Sequence, residues 1–257
     1  MQVVALTSQK GGSGKTTLTG HMAVEAVRTG NGPVAVIDTD PQGSMAGWGR
    51  ARASDEPAVF SAAPGQVAAA LTSLRAEGFK LVFVDTPPAV TEAISQVVSL
   101  SDMVLIPTRP SPHDLRAVGA TVDIVEAHEK AMIFVVNSAT RGARITAEAA
   151  VALSQHGTVA PVTLHHRVDY AASMIDGRTV MEKNEGSKSA KEVIALWEYV
   201  ADRLDRLRRE AAEYSVEGVV DGSATVEAPA ARPVLGVVSG GQPRGGFGRR
   251  RPDSHPS

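Results

Sequence analysis

Residues 10–17 read Lys-Gly-Gly-Ser-Gly-Lys-Thr-Thr, and this octapeptide constrains the fold more than any other part of the chain. A short apolar run, Val3–Thr7, leads into it. A helix is predicted over Thr16–Arg28, ended by Gly30 and Gly32. A Gly-rich turn between a strand and a helix points several backbone N–H groups inward, and the helix adds the positive end of its dipole. Such a turn holds phosphate oxygens. Lys15 then reaches the outer phosphates, and the Thr16 hydroxyl is placed for Mg2+. The usual spacing G-x-x-x-x-G-K-S/T fails at its first glycine, because counting back from Gly14 reaches Gln9.

Beyond the loop, strands are predicted at Val34–Ile37, Val59–Phe60, Leu81–Val84 and Met103–Ile106, the last ending at Pro107. Two more follow at Met132–Val136 and Val159–Leu164. Between them lie helical segments at Ser44–Ala53, Pro64–Glu77, Thr91–Leu100, Leu115–Glu129 and Ile145–Gln155. Ser187–Tyr214 supplies one or two closing helices. Continuous apolar strands alternating with helices indicate an α/β fold with a doubly wound, mostly parallel sheet. Hydrophobic residues make up 43% of the chain but aromatics only 4%, so Ala, Val, Leu and Ile must fill a closely packed core. The domain is expected to span residues 1–214. Residues 215–257 are rich in Gly, Pro, Ser and Ala and too poor in large apolar residues to offset chain entropy, so a disordered tail is expected. It carries Arg244 and Arg249, Arg250 and Arg251 near its end.

The absence of cysteine excludes disulfides, thiolate-bound zinc and iron–sulfur clusters, and suits a reducing cytoplasm. No signal peptide is visible, and no stretch approaches the roughly 20 apolar residues of a membrane span. A net charge of −2 does not announce a nucleic-acid binder, so any basic surface must be local.

Asp38 and Asp40 follow the second strand, and Asp85 follows the Leu81–Val84 strand. Ligands of open parallel sheets bind at the carboxyl ends of strands, so all three carboxylates are expected to face the loop. Asp85 fits the aspartate that orients Mg2+ through its water shell. Ordinary strand-end turns also favour Asp and Pro, and that reading stands beside the functional one. Asn137 ends a strand too. Its amide carries both a donor and an acceptor for a purine edge, or it simply closes a turn.

Lys-Gly-Gly-x-Gly-Lys-Thr-Thr resembles the signature of the ParA/MinD superfamily of deviant Walker A ATPases. Asp38-Thr39-Asp40-Pro41-Gln42-Gly43 resembles its second motif. Asp85-Thr86-Pro87-Pro88, Pro107–Asp114 and Tyr170–Val180 are similar to segments of its small partition and cargo-positioning members, the ParF-like proteins. The resemblance covers residues 1–210. It implies that Lys10 crosses a dimer interface to the partner's ATP, so that two Mg·ATP are sandwiched in a homodimer. It implies that Gly11, Gly12, Ser13, Gly14, Lys15, Thr16 and Thr17 cradle the phosphates and that Asp40 positions the attacking water. Thr16, Asp38 and Asp85 then serve the metal, and Pro107 and Asn137 lie near the base.

The same resemblance implies a cytoplasmic, nucleoid-associated cycle. The ATP dimer coats double-stranded DNA without sequence preference, and a ParB- or ParG-like cargo adaptor stimulates slow hydrolysis and releases it. Arg167, Arg178, Lys183, Lys188, Lys191, Arg203, Arg206, Arg208 and Arg209 are the candidates for phosphate contacts. The alternative for the last four is a salt-bridged solvent face, since Asp202, Asp205 and Glu210 lie among them. The Arg-rich tail adds DNA affinity or is an inert solubilising end. With the loop at residue 10, no N-terminal helix-turn-helix domain of the large plasmid type is expected.

Two alternatives remain open. A MinD-like membrane cycle would use the apolar stripe Leu196, Trp197, Val200, Leu204, Leu207 and Ala211, although such a stripe is more often core packing. A nucleotide switch with negligible hydrolysis would differ only in rate.

Overall fold

The structure, a computed structural model, describes residues 1–88, 91–217 and 236–237. The strands are β1 (Gln2–Leu6), β2 (Val34–Asp38), β3 (Ala58–Ser61), β4 (Leu81–Asp85), β5 (Met103–Thr108), β6 (Ala131–Val136), β7 (Thr158–Val159) and β8 (Gly236–Val237). They form one sheet in the order β7-β6-β5-β1-β4-β2-β3-β8. Every pairing is parallel except β3 with β8. The predicted doubly wound fold is therefore present.

The helices are α1 (Lys15–Arg28), α2 (Ser44–Ala51), α3 (Val67–Ala76), α4 (Thr91–Ser99) and α5 (Pro112–Ala127), then α6 (Arg144–Ser154), α7 (Val168–Met174), α8 (Val180–Asn184) and α9 (Lys188–Glu217). Alternation along β1 sends its side chains to two cores. Val4 and Leu6 join Leu18 and Met22 of α1 and Val193, Leu196 and Trp197 of α9. Val3 and Ala5 join Leu74 of α3, Ile94 of α4 and Val122 of α5. A sheet buried on both faces needs continuous apolar strands, as β2, β4 and β5 are up to their last residues.

Two strands depart furthest from expectation. β5 runs through Pro107 to Thr108, and Pro107 pairs in register with Val135. Leu105 accepts from Thr7 on the β1 side and Thr108 accepts from Asn137 on the β6 side. Two residues after Leu105, the missing N–H of Pro107 therefore faces the side where β1 has ended, and no ladder bond is lost. The last predicted strand shrinks to Thr158–Val159, although beyond it Ala160 N still donates to Phe134 O and Leu164 N to Val136 O. The closing segment is a single helix, α9, and its apolar stripe is core. Leu196, Trp197, Val200 and Leu204 are buried, Leu207 packs beside them, and the Trp197 indole donates to Thr29 Oγ1 at 2.7 Å. No helix among the described residues is long and apolar enough to cross a membrane. Of the tail expected from residue 215, residues 215–217 end α9 and 236–237 pair with β3. The remainder, with Arg244 and Arg249–Arg251, lies outside the described residues.

Candidate functional site

The loop after β1 and the first turn of α1 sit mid-sheet, at the carboxyl ends of the strands. Gly12 and Gly14 have φ of 75° and 95°, a region that L side chains rarely adopt. A Cβ on Gly14 would also overlap the Asn137 amide. No side chain caps the first turn of α1, so its N–H groups stay free for an anion. The Ser13 hydroxyl is buried without a partner among the described residues. Lys15 is only 6% exposed, and its ammonium donates to the Ser8 carbonyl at 3.2 Å and the Lys10 carbonyl at 3.5 Å. Burial lowers its pKa, opposed by the charges of Asp85 and Asp40.

β4 and β2 bring the carboxylates to one side of the loop. Asp85 is buried, and Thr16 Oγ1 donates to its Oδ2 at 2.6 Å. Burial pushes the Asp85 carboxyl up from its usual 3.8 to about 7, against the Thr16 hydrogen bond. The Thr16 hydroxyl and Asp85 fit the protein share of an Mg2+ site, because this ion takes one or two protein oxygens and fills its octahedron with water and phosphate. No cluster of three His, Asp or Glu side chains suited to a metal occurs among the described residues. Asp38 is buried and committed to backbone: it accepts from Asp40 N at 3.0 Å and from Ala46 N, in the first turn of α2, at 2.8 Å. Asp40 is half-exposed at the tip of that turn, and one of its oxygens accepts from Gln42 N at 2.9 Å.

Lys10 lies on the outer side of the loop. Its ammonium is 2.7 Å from the Asp114 carboxylate in the first turn of α5, with the lysine side chain 38% exposed. Ser111 caps α5 and also donates to Asp114.

β5, β6 and the chain after β7 build a cavity on the other side of the loop. Gly14, Thr17, Arg109, Asn137, His166 and Tyr170 are among the residues that line it. Asn137 ends β6; its NH2 donates to the Ser13 carbonyl at 2.7 Å and its Oδ1 accepts from Ser138 N. Pro107 is buried within β5 and does not line the cavity, whereas Arg109 does. Glu192 of α9 holds the far wall. It accepts from His165 N at 3.0 Å, from Arg167 at 2.9 Å and from the Tyr170 hydroxyl at 3.0 Å. His21 of α1 is wholly buried and burial lowers its pKa to about 4, so it is neutral. Val180 N donates to its Nε2 at 3.3 Å, and its Nδ1 therefore carries the proton that meets the Thr17 carbonyl at 2.7 Å. This tethers α8 to the helix that carries the loop.

Residues 4–203 match the model of the CobQ/CobB/MinD/ParA nucleotide binding domain. The chain belongs to that family. It is 30% identical over 210 residues to the maintenance of carboxysome distribution protein A of Gloeobacter kilaueensis, a match covering 80% of this chain and 94% of that protein. Its fold is similar to that of apo McdA from Cyanothece, with a TM-score of 0.66, 16% identity, and coverage of 78% of this chain and 99% of that one. A Cyanothece McdA–ATP complex is also similar, with a TM-score of 0.63, 18% identity, and coverage of 80% and 96%. The loop, the carboxylates and the cavity all lie within the matched residues.

The basic residues fall into two groups. Arg167 is ion-paired with Glu192 in the cavity wall, and Arg178 and Lys183 share Asp176. Lys188 and Lys191 are exposed at the start of α9. Arg203 stacks on Tyr199, Arg206 pairs with Asp202, Arg208 pairs with Asp205, and Arg209 donates to the Asp205 carbonyl. Arg203 and Arg206 border a hollow with Met103 and Ala131, at the amino ends of β5 and β6 and away from the loop. At 1.5 Å per residue, Lys188 and Arg206 are about 27 Å apart along α9. Sequence reasoning missed Arg109, Asp114, His21 and Glu192 as individual residues. The only local signal among them was the cap Ser111-Pro112-His113-Asp114.

Proposed function

We propose that this chain is a slow, Mg2+-dependent ATPase that dimerises around two ATP, binds double-stranded DNA nonspecifically in that state and positions a cargo. A cargo adaptor of the ParB or ParG kind stimulates hydrolysis and releases it. The observation that carries the proposal is the presence of two lysines with different tasks on one loop. Lys15 is buried beneath the loop with its ammonium already oriented, which suits charge neutralisation in cis. Lys10 stands outside and its one partner, Asp114, is a carboxylate that a partner subunit's phosphate can replace.

Mg2+, when bound, would shield the phosphate charge and fix the phosphate oxygens. Thr16 and Asp85 are the residues that would hold it, with Asp38 stiffening the β2–α2 turn behind them. Asp40 has an oxygen free of backbone bonds and is the group to orient water toward the outermost phosphate. Lys10 leaves Asp114 and offsets charge on the transferring group of the other subunit, as an arginine finger does. Asn137 and the cavity take the nucleoside. The relatives named for maintenance of carboxysome distribution support a large protein body as cargo, with plasmid and chromosome as the other cargo classes this cycle serves. Lys188 and Lys191, exposed and away from the Arg203–Arg209 row, are the first residues to test for DNA contact.

The test is retention on random-sequence DNA by the full chain. Retention should require ATP and Mg2+ and weaken steeply with salt, as counterion release dictates. Retention that ignores nucleotide, or its absence with ATP, would overturn the DNA half of the proposal.

A further inference from the structure

We infer that Arg109 is a second, cis-acting phosphate ligand, which clamps the nucleotide from the open side of the loop; this rests on the nucleotide reading above. Arg109 follows β5 and precedes α5, so its backbone is fixed between two elements. Ser111 N donates to its carbonyl at 2.8 Å. Its guanidinium reaches back over the phosphate loop. A Cβ built on Gly12 would lie 3.8 Å from Arg109 Nη2. The same side chain borders the cavity beside Gly14 and Asn137. Arg109 thus spans the junction between the phosphate cradle and the nucleoside cavity.

The other cations around this site are all occupied. Lys15 is bonded to loop carbonyls, Lys10 to Asp114 and Arg167 to Glu192. Arg109 is exposed, and its guanidinium has no hydrogen-bond or ion-pair partner among the described residues. Asp114, a carboxylate on the adjoining turn of α5, is taken by Lys10 and Ser111. A planar guanidinium with five donors, held over an anion cradle and lacking a protein anion, is suited to bridging two phosphate oxygens. Its place on the cavity side assigns it to the inner phosphates, which ADP and ATP share. Lys10, in contrast, is assigned to the phosphate that only ATP carries.

Nucleotide binding by Arg109→Ala and Arg109→Lys, followed with N-methylanthraniloyl-ADP and -ATP, tests the inference. The arginine is exposed, so both variants should fold. In Arg109→Ala the Kd for both nucleotides should rise at least about tenfold, because both charge-assisted hydrogen bonds are lost. Arg109→Lys should recover only part of this, because an ammonium cannot bridge two oxygens. Adenosine should compete equally in wild type and Arg109→Ala. An unchanged Kd for ADP overturns the inference, as does a loss confined to ATP, which would place the arginine in trans. If wild type itself binds neither nucleotide, the nucleotide reading falls, and the clamp falls with it.

Discussion

The two sides of the phosphate loop are built differently. On the β2–β4 side, Asp38 and Asp85 are the last residues of their strands and are buried, with Thr16 already 2.6 Å from Asp85. Register fixes this side: Asp38 pairs with Asp85 across neighbouring strands, and Leu6 of β1 pairs with Asp85. On the β5–β7 side the functional groups are an amide, a guanidinium and a histidine-bearing wall brought in from separate segments and tied to α9 through Glu192. The first side is preorganised, with its charges fixed by register. The second is assembled by long-range contacts and sets what lies beyond the phosphates. Chemistry that must not reorganise during reaction belongs on the stiffer side.

The largest expected effect belongs to the residue that serves both sides. Lys15→Ala should weaken ATP and ADP binding more than about 100-fold, since it removes a buried charge poised under the loop. Isothermal titration checks this, and near-normal affinity would mean that the loop is not the phosphate site.

A smaller effect should separate the two sides. Asn137→Ala removes an amide that both holds Ser13 and faces the cavity. It should cost ATP affinity about tenfold, one to two hydrogen bonds' worth, while affinity for inorganic tripolyphosphate changes little. Equal losses for both ligands would show that Asn137 only supports the loop.

The smallest effect is a pH dependence of opposite sign on the two sides. Asp85 titrates near 7 in the folded chain against its usual 3.8, so the folded state binds the extra proton between these values. Its contribution to stability is present at low pH and is lost as pH rises toward 7. His21 titrates near 4 against 6.5, so the unfolded chain binds the extra proton between those values. Its contribution is complete above 6.5 and is lost as pH falls toward 4. In nucleotide-free protein the two slopes oppose each other. Asp85→Asn should leave a melting temperature that climbs by a few degrees from pH 4.5 to 6.5, and His21→Gln should leave one that falls. Thermal denaturation of both variants across that range decides it. Parallel profiles would show that these two groups do not control the titration.

The same division explains what was legible in the sequence. The β2–β4 side was readable because its residues lie in contiguous motifs, Asp38–Gln42 and Asp85–Pro88, at the ends of apolar strands. The parallel sheet and α1 were readable for the same reason, since continuous apolar runs must be buried on both faces. The other side was not. Glu192 and His165 are 27 residues apart, and His21 and Val180 are 159 apart, so no local pattern links them. The short helices α7 and α8 escaped because they are too brief to show a period and are held by tertiary contacts to α1 and α9. Pro107 looked like a strand end because proline usually is one. Its missing N–H falls where β1 has already stopped, so β5 continues and carries Arg109 to the loop. The row Arg203, Arg206 and Arg209 looked like one basic face, but local carboxylates and Tyr199 occupy most of it.

The central claim is that the two lysines of the loop act on different subunits' nucleotides. Its most direct test is the solution mass of Asp40→Ala, measured by light scattering with Mg·ATP and with Mg·ADP, beside the double variant Lys10→Ala/Asp40→Ala. The account predicts a dimer for Asp40→Ala with ATP only, and a monomer that still binds ATP for the double variant. A double variant that dimerises as well as Asp40→Ala, or an Asp40→Ala mass that does not respond to ATP, would contradict it.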